Sequence, residues 1–200
     1  YYHTGKSEGC AFFTAFPFGF TMGEMAAWIK HGNGQKLWDE LYAPFGIRGF
    51  QAGSTGTQMF GWFRREIRSL ADLDGLKFRT PGNQGRVLQK LGVTPVSLPG
   101  GEIFPALQSG AIDGAEWVGP YNDLALGFYQ VCRYYYSPGY HEPGPALQLT
   151  VNEQAWRSLP SDLQAIVRHY QLDQAALARD VTTTLDRLPR GSTAISDFSE

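Results

Sequence analysis

The apolar positions change period several times along the chain, from continuous runs to helical spacing and back, so short elements of both kinds are predicted. FFTAFPFGFT, residues 12–21, is apolar and broken by Pro17 and Gly19, and predicts a strand ending in a turn. GEMAAWIKHG predicts a helix, interrupted at Gly32 and Gly34 and resumed in QKLWDELYAPFG, with Gly46 as its stop. IRGFQAGSTG predicts a short strand running into a Gly/Ser/Thr loop, and QMFGWFRREI predicts another strand.

Ser69 to Asp72 open a short turn or helix, and LKFRTPG is a strand stopped by Pro81. NQGRVLQKLG predicts a helix with Gly92 at its C′ position, and TPVSL a strand. PGGEIFPALQSG predicts a helix with Pro105 in its first turn and Gly110 at its end. DLALGFYQV is helical, RYYYSPG is a strand, and HEPGPALQLTVNE is a loop followed by an apolar strand. After Ser158 to Pro160, SLPSDLQAIVRHYQLDQAALARDVTTTLDRL predicts one long amphipathic helix. Strands alternating with helices predict an α/β architecture with mainly parallel pairing.

Composition adds exclusions. The 200 residues suffice for one large domain or two small ones, and 42% hydrophobic against 18% charged residues support a packed core. A formal charge of -2 supplies neither a basic field for nucleic acid nor a polybasic membrane patch. No run has the length of a transmembrane helix, and YYHTGKSEGC has no apolar signal region. The first residue is not Met, which leads us to expect a fragment or a processed chain. Cys10 and Cys132 lack metal-type spacing, so two buried thiols are expected, with a single disulfide left open. The 14% of aromatic residues fit both cores and small-molecule clefts.

Catalytic motifs are absent: there is no GxSxG elbow, no phosphate-binding GxxxxGK[ST] loop and no HExxH, and the four histidines (His3, His31, His141, His169) are far apart. Polar residues at predicted strand ends carry more information, because ligands of open α/β sheets bind beyond the strands' carboxyl ends. Arg79 closes LKFRTPG, Gln58 follows AGSTGT, Glu116 and Trp117 lie in AEWVGP, and Glu142 lies in GYHEPGP. Each alone reads as an ordinary surface residue. Four such ends carrying Arg, Gln, Glu-Trp and Glu make a specific set, in which a guanidinium suits a carboxylate ligand.

DLDGLKFRTPG, LGVTPVSLPGGEIFPALQSGAIDGAEW, YYYSPGYHEPGP and GSTGTQMFGWFRREI together resemble the periplasmic solute-binding proteins of tripartite ATP-independent periplasmic (TRAP) transporters, the DctP-type family. The likeness runs over nearly the whole chain and is strongest to the branch that binds 2-oxo acids and related monocarboxylates. It implies a two-lobe α/β fold with mixed sheets, connecting strands and a long C-terminal helix, with N- and C-terminal parts of the family fold missing here. On this reading residues 1–30 belong to lobe I, and 31–78 to lobe I with a strand crossing toward lobe II. Residues 79–150 are then mostly lobe II with the return crossing, and 151–200 are the connecting helix and the rest of lobe I.

The resemblance also assigns roles. Arg79 grips the substrate carboxylate. Gln58, Glu116 and the Trp117 carbonyl hold a metal cation, sodium or calcium, and Glu142 completes the substrate site. Phe18, and more loosely Tyr1 or Tyr2, line its apolar side. The implied partners are a small organic acid and the transporter's membrane subunits, in the periplasm, with a homodimer possible for the full-length protein. A 2-oxo acid can chelate a hard cation through its carboxylate and keto oxygens. Glu116, Glu142 and the ligand carry three negative charges against Arg79, so a divalent ion neutralises the cluster and sodium leaves one negative charge. The alternative is an α/β enzyme acting on a small keto acid with metal assistance, for which His141 is the visible candidate base.

Overall fold

The structure, a computed structural model, describes residues 5–169. Two sheets organise it. In the first, β1 (Ile47–Ser54) pairs antiparallel with β7 (Ala146–Asn152), the register shifting between Gln51 and Gly53. Helices α1 (Met22–His31) and α2 (Gly34–Tyr42) pack on this ribbon through Met25, Ile29, Trp38 and Tyr42, joined by Cys10, Phe13 and Ala146. α1 starts at Thr21, whose backbone N–H donates to the Glu24 carboxylate at 2.9 Å in a capping box.

The second sheet has five strands in the order β4-β3-β5-β2-β6. β3 (Lys77–Arg79) lies parallel to β4 (Thr94–Val96) and β5 (Gly114–Ala115). β2 (Gly61–Phe63) lies antiparallel to β5 and to β6 (Tyr134–Tyr136). Successive side chains of these short strands enter opposite cores, as strand geometry requires. Phe63, Phe78 and Tyr136 join Leu73, Leu76 and Leu88 on one face. Trp62, Ala115 and Tyr135 join Ile103, Leu107 and Phe128 on the other. Helices α3 (Gly82–Gln89), α4 (Gly100–Ser109) and α5 (Pro120–Leu126) follow β3, β4 and β5 in turn.

Most predicted elements stand, and four need correction. The apolar run 12–21 is not a strand: a 3-10 turn (Glu8–Phe13) precedes it, and Pro17 together with Phe18 at φ 57° excludes extended pairing. Pairing is mixed, because β2 runs antiparallel to both neighbours. Pro105 sits in the interior of α4, not its first turn. A further short helix, α6 (Glu153–Ser158), stands where none was expected, before Pro160; α7 (Ser161–His169) then begins where the long helix was placed, and the rest of that helix lies outside the described residues. Gly46, Gly92 and Gly110 take the positive φ expected of them. Cys10 and Cys132 are buried free thiols in separate cores.

Asp123, on α5, ties the second sheet to the loop after β5. Its buried carboxylate accepts hydrogen bonds from Trp62 Nε1 and Tyr135 Oη, both at 2.9 Å, and from the backbone N–H groups of Val118 and Gly119, both at 3.1 Å. The Trp62 and Tyr135 rings stack with centroids 4.0 Å apart. Asp123→Ala strands buried donors on both elements and should destabilise the protein by about 3 kcal/mol, read as a shift in urea midpoint with the slope unchanged; a midpoint within error of wild type refutes this role.

Candidate functional site

The carboxyl ends of strands build the site. β3 and β5 are parallel neighbours with Arg79 opposite Ala115, so the next residue, Glu116, stands beside the arginine. The Glu116 N–H donates to the Arg79 carbonyl at 3.1 Å. Arg79 Nη1 donates to Glu116 Oε1 at 2.6 Å and to the Glu116 carbonyl at 2.8 Å, while its Nε donates to the Leu98 carbonyl at 3.1 Å. The side chains are 2% and 1% exposed, so this ion pair is screened by almost no water. The guanidinium also lies over the Trp117 ring, 5.1 Å from its centroid. Gly100 makes room for that indole: a Cβ there would collide with it.

The loop after β6 enters from another side. His141 is 2% exposed, with Nε2 3.6 Å from Glu116 Oε2, beyond hydrogen-bond reach, and neither ring nitrogen has a partner. Glu142 follows, 5% exposed. One potential ligand atom each from Glu116, His141 and Glu142 all lie within 4.8 Å of one another. Gln58 is attached through the backbone, its N–H donating to the Glu142 carbonyl at 3.0 Å. Its side-chain Nε2 donates to Thr55 Oγ1 at 3.2 Å, and its Oε1 is buried without a donor. The Trp117 carbonyl lies between two engaged ones, Glu116's with Arg79 and Val118's with the Met59 N–H.

Arg79, Gln58, Glu116, Trp117 and Glu142 are thus brought together as expected. Phe18 is placed apart from them: it is 83% exposed, its ring stacks on Tyr140 at 5.0 Å, and its N–H donates to the Tyr140 carbonyl. It therefore flanks the loop carrying His141 and does not line the buried cluster. Tyr1 and Tyr2 lie outside the described residues. His141 was the residue undervalued by sequence reasoning; its only signal is its place immediately before Glu142 at a strand end. An open cleft of about 420 Å³ begins one residue beyond Arg79, lined by Thr80, Pro81, Gly82 and Ser97. An exposed Arg86–Glu8 ion pair of 2.6 Å lies at this cleft.

Burial dominates the electrostatics. It raises the Glu116 carboxyl from 4.5 to about 8, with Arg79 opposing and the charge of Asp123 reinforcing. It raises Asp123 to about 6 against its four donors. It lowers His141 to about 4, with Glu142 opposing, so the imidazole is neutral at physiological pH. The donor set fits a cation: two carboxylates, an amide oxygen without a donor, and unpartnered ring nitrogens, all out of water.

A proton held by folded Glu116 and absent from the unfolded chain stabilises the fold at low pH, and that contribution is lost as pH rises through about 8. Above about pH 6.5 the mutually opposing contributions of His141 and Asp123 fade, so Glu116 dominates the slope. Stability in cation-free buffer should therefore fall from pH 6.5 to pH 8, and Glu116→Gln should flatten the decline. Urea titrations across that window check it; equal slopes for the two proteins contradict the assignment.

With this geometry in place, known proteins are informative. Residues 1–185 match the family described as bacterial extracellular solute-binding protein, family 7 (DctP). A monocarboxylate 2-oxoacid-binding periplasmic protein of Nostoc sp. is 50% identical over 168 residues, covering 84% of this chain and 46% of that protein. A TRAP periplasmic solute-binding protein of Colwellia psychrerythraea, solved with calcium and pyruvate, superposes with TM-score 0.92 at 41% identity, covering 100% of this chain and 63% of that one. One from Pseudoalteromonas atlantica, solved with sodium and pyruvate, superposes with TM-score 0.91 at 41% identity, covering 98% and 61%. The chain thus spans less than two thirds of each of these relatives.

Proposed function

The chain belongs to bacterial extracellular solute-binding protein family 7, and from that premise we propose that it captures a small 2-oxo or 2-hydroxy monocarboxylate together with a metal cation. The protein containing it would work in the periplasm and pass this ligand to the membrane subunits of a TRAP transporter. The observation that carries the reading is the buried Arg79–Glu116 pair set against Glu142, Gln58 and His141. Such a site has a guanidinium for a carboxylate and a cluster of buried carboxylate, amide and imidazole groups of the kind that hold a cation. The relatives crystallised with pyruvate beside calcium or sodium support the same class of ligand.

Glu116 and Glu142, with the Gln58 oxygen and the Trp117 carbonyl, would hold the ion, and Arg79 would orient the ligand's carboxylate. When bound, the cation offsets the two acidic residues and the ligand's own charge, and a divalent ion does so fully. The 2-oxo-acid class follows from adjacent carboxylate and keto oxygens that can face one ion. An enzymatic reading, with His141 as base, has less support than binding, given the family.

We further propose two lobes, one built on β1, β7, α1 and α2 and the other on the five-stranded sheet. The crossings would then fall between Ser54 and Gly61 and between Tyr136 and Ala146. Gln58 and Glu142 sit on these two crossings, so closing the lobes would tighten their site.

Isothermal titration with pyruvate tests the proposal. Binding should need calcium or sodium, vanish after chelation and dialysis, and return when the ion is restored. Arg79→Met should weaken it by about 2–5 kcal/mol, because a desolvated carboxylate loses its charged partner. Undiminished pyruvate binding in cation-free buffer overturns the cation's role, and turnover of pyruvate or lactate overturns the binding reading.

A further inference from the structure

We propose that His141 is a nitrogen donor to the cation site and gives the cluster a preference for borderline first-row divalent ions, of which zinc and cobalt are representative; this rests on the cation reading above. Burying an imidazole with neither nitrogen satisfied is costly, and buried polar groups almost always find a partner. The environment of His141 is equally specific. Glu116 Oε1 is engaged by Arg79, which leaves Oε2 as the carboxylate atom facing His141 Nε2. Their 3.6 Å separation is too long for a hydrogen bond, yet it is the spacing expected of two atoms sharing an ion at about 2.0–2.2 Å from each.

Ligand chemistry then separates His141 from the rest of the cluster. Sodium and calcium are served by oxygen, and Glu116, Glu142, Gln58 and the Trp117 carbonyl supply it without help. A neutral imidazole contributes little to those ions but strongly to zinc, cobalt or nickel, whose affinities rise along the first row. Potential ligand atoms of two carboxylates and one imidazole within 4.8 Å of one another form a donor set that an oxygen-seeking ion does not require. The loop holds the imidazole in place through its neighbours: Tyr140 is pinned by Phe18 on one side, and Glu142 by the Gln58 N–H on the other.

The test uses chelator-stripped full chain and the metals alone. Calcium, zinc and cobalt chlorides are titrated calorimetrically into wild type, His141→Asn and His141→Phe, and cobalt is followed by its visible absorption. Zinc and cobalt should bind wild type at least roughly tenfold more tightly than calcium. Both variants should lose roughly 10–100-fold toward zinc and cobalt, change the cobalt spectrum, and keep calcium affinity within about threefold. A readout that leaves His141 itself unchanged guards against misfolding of the His141 variants. With His3, His31 and His169 changed to Gln, the remaining imidazole's nitrogen resonances should shift on adding zinc. Calcium binding with zinc affinity untouched by either substitution, or ring nitrogens unmoved by zinc, overturns this proposal and leaves the cation reading standing. No binding of calcium, sodium or zinc overturns both.

Discussion

A guanidinium and a carboxylate removed from water together, Arg79 and Glu116, set the terms on which the site is built. Neither charge survives such burial alone, because the cost of leaving water exceeds what one contact returns. Every remaining hydrogen-bonding capacity therefore has to be met nearby. Two backbone carbonyls, of Leu98 and Glu116, and the face of Trp117 add to the surroundings of the arginine. The carboxylate has no comparable second partner. Burial raises it to about 8 despite the arginine.

The pair can be held in register only because the sheet beneath it is rigid. β3 and β5 run parallel and end at the same level, and the loop leaving β5 is tied down within three residues by Asp123. Asp123 does this from inside a stack of aromatics, accepting from both Trp62 and Tyr135. One acidic residue thus serves as scaffold beside the Arg79–Glu116 pair. The two acids are electrostatically coupled, since the charge on Asp123 raises Glu116 further. The two carboxylates differ in their donors: Asp123 has four, and Glu116 accepts from Arg79.

Close approach of backbones completes the arrangement. The loop carrying His141 and Glu142 runs against the segment carrying Gln58, joined by the Gln58 N–H to the Glu142 carbonyl and by the Thr57 hydroxyl to the Pro143 carbonyl. Gly139 permits this contact, because a Cβ there would overlap the Gln58 carbonyl. Segments more than eighty residues apart in the chain are thus brought side by side by a glycine and by hydrogen bonds from Thr57 and Gln58.

Much of this was legible in the order of residues. Local apolar spacing, with Gly and Pro as stops, located α1 to α4 and most strands, because period and backbone freedom are properties of a few adjacent residues. Polar residues stranded at predicted strand ends pointed to Arg79, Gln58, Glu116, Trp117 and Glu142 for the same local reason. The apolar run at 12–21 misled, since hydrophobicity alone does not exclude a coil when Pro17 and a left-handed Phe18 intervene. Antiparallel placement of β2, the Asp123 anchor, the outward position of Phe18 and the orphaned His141 were not legible, because each depends on groups distant in sequence. The chain's own order determined which chemical groups stand where strands end. Tertiary structure alone decided which of them share a water-free space, because desolvation and hydrogen-bond satisfaction belong to the packed assembly and to no single stretch of sequence.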